Sequence, residues 1–150
     1  MNPAMIRTVN LAVRAPRDTV FNFLADIENL PRWATDFCER VELRRGRWWA
    51  LTSQGELLCY TCAEDATGVI DLCCGPNDEE VWRFPIRVWT VPGATLVQFT
   101  FAQPPGTPDE VYERQYQSLL TEMRGLLTRF GGGTLHAPEV NPEPAHHGAN

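Results

Sequence analysis

The chain has 150 residues, a length that fits one domain able to bury its own core without metals or disulfides. Hydrophobic residues make up 43% and charged residues 21%, a balance that excludes intrinsic disorder. The formal net charge of −6 disfavours nucleic acid and anionic membranes as partners, because both require clustered Lys and Arg.

No part of the sequence predicts export or membrane insertion. No stretch reaches the roughly 18 apolar residues that a spanning helix needs. Residues 1–7 lack the basic and then apolar order of a secretion signal. Five cysteines, an odd number without such a signal, indicate reduced thiols. We therefore expect a cytoplasmic protein.

The first third of the chain predicts one strand and two short helices. Residues 5–14 alternate apolar and polar side chains imperfectly and predict the strand. Pro16 follows and suits a first helical turn, where its missing N–H costs nothing. Apolar spacing then predicts a helix over 18–26 and, after a bend, a second over 29–33.

Six further strands are predicted in the middle of the chain, with turn signals between them. They cover residues 37–44, 48–52, 56–63, 69–74, 81–91 and 95–102. Connections this short force antiparallel neighbours, because a parallel crossover needs a dozen or more residues. With the first strand at one edge, the expectation is a seven-stranded antiparallel sheet in an α+β domain.

The clearest helix of the sequence is predicted over residues 109–130. Its apolar side chains fall within an arc of about 120° at about 100° per residue, and the opposite side is polar. A sheet of this kind twists, and a helix with one broad apolar face must bury that face against it. The domain is expected to end at residue 131. Residues 132–150, rich in Pro and His, are expected to form a flexible tail.

This order of elements, with particular residues, resembles the SRPBCC or START-like helix-grip superfamily, in its bacterial polyketide cyclase/dehydratase-like branch. The matching segments are VRAPRDTVFNFLADIENLPRW at 13–33, TGVID at 67–71, FPIRV at 84–88 and VQFTF at 97–101. The resemblance implies a curved sheet wrapped around the long helix and a cavity for a hydrophobic ligand. It transfers no catalytic signature onto these positions, so the catalytic residues are unknown.

Seven side chains are predicted to line that cavity and bind its ligand. The long-helix residues follow from periodicity, those of the strand over 81–91 from alternation, and Trp33 from the resemblance alone. Any single Trp more often fills a core, but amphipathic rings suit an apolar pocket with a few polar groups. The predicted residues are Trp33, Trp82, Phe84, Tyr112, Tyr116, Leu119 and Met123.

Asp71 and Arg87 interrupt two otherwise apolar strands. Alternation places Asp71 on the outer face together with Arg83 and Arg87, which predicts a cross-strand ion pair. The alternative is that a bulge turns one of them into the cavity as a general acid or an anion clamp.

The cysteines do not predict a metal site. Cys59 and Cys62 lie in one strand and point to opposite faces, and so do Cys73 and Cys74. A structural zinc site usually takes its close pair from a tight turn. We therefore expect no bound metal and no cofactor.

The histidines, at 136, 146 and 147, all fall in the expected tail, so no Ser-His-Asp or Cys-His arrangement is available within the fold.

The first hypothesis is binding of a small hydrophobic molecule such as a lipid or polyketide, for transport or sequestration. The second is a metal-free cyclase, dehydratase or isomerase acting on such a molecule. The third is a protein-interaction module, since the neighbours Trp48 and Trp49 cannot both point inward. Formation of a homodimer is left open.

Overall fold

A computed structural model describes residues 4–139 and contains eight strands and three α-helices within them. The helices are α1 (Arg17–Ala25), α2 (Leu30–Trp33) and α3 (Asp109–Arg129), and single 3₁₀ turns cover Ile27–Asn29 and Asp65–Thr67. The strands are β1 (Ile6–Val13), β2 (Cys38–Arg44), β3 (Arg47–Thr52), β4 (Gly55–Glu64), β5 (Val69–Gly75), β6 (Trp82–Val91), β7 (Ala94–Ala102) and β8 (Gly133–His136).

All eight strands form one antiparallel sheet with the order β2-β3-β4-β5-β6-β7-β1-β8. The central six strands form the predicted meander, because each is joined to the next by a short connection. The β2–β3 turn shows the local cause: Arg45 and Gly46 both have positive φ, at 51° and 77°. Two such residues in a two-residue turn match the twist of the flanking strands and set the pairing of Arg44 with Arg47.

The sheet has one strand more than the seven predicted, because the chain after α3 returns and pairs with β1. Leu11 lies opposite Leu135 and Val13 opposite Gly133. Only glycine fits at 133, since a Cβ there would lie 1.8 Å from the carbonyl oxygen of Ala12. The expectation of a flexible tail from residue 132 is therefore wrong for residues 133–136. The part of that tail at 140–150 lies outside the described residues.

Helix α3 packs its most apolar side against β1 and β8 and also contacts α2. Tyr112 and Tyr116 are completely buried in this packing, and Met123 nearly so. Helix α1 lies on β4, β5 and β6, where the Thr61 hydroxyl donates a hydrogen bond to the carbonyl of Ala25 at 2.7 Å. The helix-grip fold is thus confirmed. The sheet wraps α3, and the short helices cover the part of the sheet's inner face that α3 does not cover.

Among residues 4–139, no helix combines the length and the hydrophobicity that crossing a membrane would require.

Candidate functional site

A cavity of about 360 Å³ lies between the first half of α3, helix α2 and the inner face of β5, β6 and β7. The connection from β7 to α3, residues 103–108, forms its rim with Pro104, Pro105 and Pro108. An ordinary protein core has few voids larger than one water molecule. This space differs from such a void because it opens to solvent, and its volume reaches the range of small-molecule sites.

Aromatic rings form the sheet side of the cavity. Phe84 of β6 lies 6.4 Å from Phe99 and 6.2 Å from Phe101 of β7, measured between ring centroids. The ring of Trp33 meets Phe99 edge-on at 5.8 Å, and Trp82 completes this wall. Alternation along β7 points both of its phenylalanines inward, so the VQFTF segment already carried the signal for them.

Four of the seven predicted ligand-binding residues line the cavity, namely Trp33, Trp82, Phe84 and Leu119. The other three lie where α3 packs on the sheet. The Tyr112 hydroxyl donates to the carbonyl of Phe101 at 2.7 Å, and its ring stacks on the Phe101 ring at 4.8 Å. The Tyr116 hydroxyl donates to the carbonyl of Pro138. Tyr112, Tyr116 and Met123 were therefore wrongly expected as cavity walls, because the apolar centre of an amphipathic helix packs tightest.

A polar row on α3 faces the cavity instead. Gln115, Ser118 and Glu122 follow one another at helical spacing on the flank beside the apolar face. Sequence reasoning missed these residues because they belong neither to the apolar arc nor to the opposite polar side. The available signal was three polar side chains at spacings of three and four along the border of that arc.

Glu122 is a buried carboxyl group held by the backbone. It is 6% exposed, and its Oε2 accepts hydrogen bonds from the backbone N–H groups of Asp36 and Phe37, each at 3.0 Å. Burial raises the pKa of Glu122 to about 7, although these two hydrogen bonds act in the opposite direction and the charge of Asp36 adds slightly to the rise. A carboxyl group that titrates near neutral pH can accept or release a proton.

Gln115 has a side-chain oxygen, Oε1, that is buried without any hydrogen-bond partner among the described residues. Leaving a buried acceptor unpaired typically costs about 1–3 kcal/mol. Because this oxygen has almost no accessible surface, it does not open into the cavity, although other atoms of Gln115 line it.

Behind the packed side of α3, Arg7 of β1 is a buried cation with three neighbours. Its Nη2 contacts Glu113 Oε1 at 2.5 Å, and its guanidinium lies 4.4 Å from the ring centre of Tyr116 and 5.3 Å from that of Tyr112. Burial raises the pKa of both tyrosines, and Arg7 counteracts this. Arg7 does not line the cavity. It ties β1 to α3.

Asp71 forms the predicted cross-strand ion pair. Its two carboxylate oxygens accept from Arg83 and from Arg87, each at 2.9 Å, on the outer face of the sheet. Asp71 sits opposite Pro85 in the β5–β6 register, so both arginines are its diagonal neighbours. The alternative, in which Asp71 or Arg87 points into the cavity as a general acid or an anion clamp, is therefore wrong.

The cysteines are sorted by face as strand alternation predicts. Cys59 and Cys74 stand opposite each other in the β4–β5 register, both completely buried, whereas Cys62 is exposed on the other face. Proximity to Cys59, together with burial, raises the pKa of Cys74. Residues 4–139 contain no group of three or more His, Cys, Asp or Glu side chains placed to hold a metal.

Comparison with known proteins identifies relatives by structure. No family model and no curated protein matches the sequence. The XoxI protein of Bacillus cereus superposes with a TM-score of 0.62 at 14% identity, covering 84% of this chain and 96% of that one. A START superfamily protein of Mycobacterium smegmatis gives 0.62 at 15% identity, with coverages of 85% and 97%. The Zhui aromatase/cyclase of Streptomyces sp. R1128 gives 0.57 at 19% identity, with coverages of 84% and 90%.

These likenesses establish the class of the molecule. The chain has the helix-grip fold that these solved structures share, and the fold predicted from the sequence is confirmed. Identities below 20% establish fold alone, and one fold hosts many functions.

Proposed function

We propose that this protein binds a small, largely apolar molecule, such as a lipid or a polyketide, in the cavity between α3 and the sheet. The observation that carries the proposal is the cavity itself, about 360 Å³ in volume and walled by aromatic rings. Ligand sites are typically concave, mostly apolar and supplied with a few polar groups that orient the ligand. Gln115, Ser118 and Glu122 are such groups. The START and aromatase/cyclase names of two structural relatives agree with this class of ligand.

Native mass spectrometry of freshly purified protein tests the proposal directly. A retained molecule would appear as an added mass that organic solvent removes, and its identity could then be determined. Calorimetric titration of the stripped protein with the extracted molecule should show one binding site.

A filled cavity provides the control. Leu119→Trp adds a ring to the cavity wall and should abolish binding, whereas Leu43→Trp makes the same change at an exposed position of β2 and should not. Equal affinities for the two variants would show that the ligand binds elsewhere.

Catalysis of the cyclase, dehydratase or isomerase type is the second candidate function. The position of Glu122 favours it, because a carboxyl group on the cavity wall with a pKa of about 7 suits general acid–base chemistry. Once a ligand is identified, Glu122→Gln should abolish its turnover and retain its binding if Glu122 transfers a proton. Unchanged product formation in the variant would remove this role.

The remaining alternatives gain less support from the structure. Among the described residues, the large apolar side chains that are exposed lie on four different strands: Ile6, Leu43, Tyr60 and Trp89. Such scattered residues are normal on monomer surfaces and do not favour an interaction module.

A cytoplasmic location and a homodimer stay part of the proposal. Sedimentation at several protein concentrations tests whether the chain dimerises.

A further inference from the structure

We propose that Gln103 controls the rate at which ligands enter and leave the cavity, because its side chain fixes a turn that borders the cavity mouth. Gln103 acts as a positioning residue, since it does not itself line the cavity. The proposal rests on the proposed binding function and adds how ligand exchange at that site is controlled.

The exposed members of the cavity lining show where its mouth lies. The cavity opens to solvent, and three segments of the chain supply these exposed residues. They are Asp36 after α2, Gln54 in the β3–β4 turn, and Pro105, Gly106 and Pro108 in the connection from β7 to α3. A ligand that arrives from solvent therefore passes the β7–α3 connection.

Residues 104–107 of that connection form a compact β-turn, called the rim turn below. The Thr107 N–H donates to the Pro104 carbonyl at 3.1 Å, and Gly106 between them has a φ of 79°. Proline followed by a residue with positive φ at the two central positions is the pattern of a type II turn. The rings of Pro104 and Pro105 also fix φ at both positions. The rim turn is therefore stiff and moves as one body.

Gln103 connects the rim turn to its surroundings through three side-chain hydrogen bonds. Its Nε2 donates to the Thr107 carbonyl at 2.8 Å and to Asp109 Oδ1, at the start of α3, at 2.7 Å. Its Oε1 accepts from the Met5 N–H, just before β1, at 3.1 Å. One side chain thus holds together the rim turn, the first residue of α3 and the start of β1.

The rim turn has few other polar attachments. Pro104 and Pro105 have no N–H group to donate. Among residues 4–139, no hydrogen bond joins the rim turn to Asp36 or to Gln54 across the mouth. Loss of the Gln103 bonds therefore frees the turn to swing away from the mouth, while the aromatic wall and α3 stay in place.

Stopped-flow fluorescence with N-phenyl-1-naphthylamine, a neutral dye that brightens in apolar surroundings, measures ligand exchange. The association and dissociation rates should both rise about tenfold in Gln103→Leu, since the bonds that hold the turn closed are lost. Kd should stay within about threefold of the wild type, because a residue without a wall contact changes both directions alike. A merely structural role of Gln103 would not produce this split between rates and affinity.

Gln98→Leu is the matched control. Gln98 lies in β7, is half-buried like Gln103, and donates to Asn10 Oδ1 of β1 at 2.7 Å. The variant makes the same chemical change away from the mouth, so it should exchange the dye at the wild-type rates. Unchanged rates in Gln103→Leu, or equal acceleration in both variants, would overturn the proposal. A changed Kd with an unchanged association rate would do so too.

A second pair of variants tests the same bonds without an apolar substitution. Gln103→Glu keeps an acceptor for the Met5 N–H but loses both donated bonds and faces the Asp109 carboxylate, so exchange should again be fast. Adding Asp109→Asn supplies an amide donor to the new carboxylate and should restore part of the slow exchange. Exchange that stays fast in the double variant would contradict control by these bonds.

The binding function and the role of Gln103 fail separately in these experiments. A wild type that does not bind the dye, or Leu119→Trp that binds it as tightly as the wild type, would contradict the binding function. Dye that binds in the cavity and leaves Gln103→Leu at the wild-type rate would remove only the role of Gln103.

Discussion

Both flanks of α3 carry buried polar groups, but only one flank borders the cavity. On the packed flank, the hydroxyls of Tyr112 and Tyr116 both reach backbone carbonyls. On the cavity flank, Gln115 Oε1 has no partner in the described part of the chain, and burial raises the pKa of Glu122. Each flank therefore holds one buried polar atom without a partner in the described part of the chain, Arg7 Nη1 on the packed flank and Gln115 Oε1 on the cavity flank. The flanks differ in packing, because only the cavity flank borders open space.

The largest expected difference between the flanks is the cost of removing a leucine. Leu126→Ala opens a void in close packing and should lower the free energy of unfolding by about 2–5 kcal/mol. Leu119→Ala should cost less than half as much, because Leu119 already faces empty space and has fewer atoms to lose contact with. Urea denaturation of both variants measures this, and equal costs would mean that the cavity is closed in solution.

The second prediction is a pH-dependent stability set by Glu122. Its pKa is about 7 in the folded chain and about 4.5 when exposed, so the folded state holds this proton more tightly than the unfolded state. The stabilising contribution of the protonated group is therefore complete below pH 4.5 and is lost as the pH rises through 7. The expected loss is about 2–3 kcal/mol between pH 4.5 and 8.

Glu122→Gln isolates this contribution, since an amide oxygen can still accept from Asp36 and Phe37. The variant should gain about 2–3 kcal/mol relative to the wild type between pH 4.5 and 8, as measured by urea denaturation. Glu110→Gln, at an exposed position of the same helix, is the matched control. Parallel curves for Glu122→Gln and the wild type would contradict a titrating carboxyl on the cavity wall.

A smaller effect is expected from strand β8, which completes the packed side. A chain ending at residue 131 loses the pairing of β8 with β1 and the hydrogen bond from Tyr116 to Pro138. It should melt about 5 °C below a chain ending at residue 139, which corresponds to about 1–2 kcal/mol. Identical melting temperatures would show that β8 adds nothing to the stability of α3.

The smallest effect should come from the outer face, remote from both flanks. Asp71→Asn removes two ion pairs. Asp71 itself is 7% exposed, but the side chains of Arg83 and Arg87 are 63% and 39% exposed, so water screens the pairs from the arginine side. The expected cost is about 0.5–1 kcal/mol, decreasing at high salt. A cost above that of Leu119→Ala would assign Asp71 a larger structural role than a surface pair has.

Local patterns predicted most of the fold. The turns, the alternating strands and the period of α3 all agree within a residue or two with the observed bounds, because these elements are specified by near neighbours. Strand β8 was missed since its four residues are too few to show alternation, and Gly131–Gly133 also fits a helix stop. Its pairing depends on the close approach of Gly133 to Ala12, which is a contact between distant parts of the chain.

The site was harder to predict than the fold. Periodicity identifies the buried side of α3 but not where along that side the sheet stops touching it, so Tyr112, Tyr116 and Met123 were expected in the cavity. The strand residues Trp82 and Phe84 were placed better, because alternation assigns a whole face at once. The spacing of Glu122 from Ser118 and Gln115 was visible in the sequence, but its burial could not be predicted, since its partners are two backbone N–H groups 85 and 86 residues away.

Those two N–H groups also make the cavity observable without a label. The amide protons of Asp36 and Phe37 point at one carboxylate oxygen, so their NMR chemical shifts will follow any change in the electron density of that group. Proton uptake by Glu122 and arrival of a ligand beside it should move both resonances together. Two ordinary backbone signals from the turn before β2 thus serve as a built-in reporter of what occupies the interior.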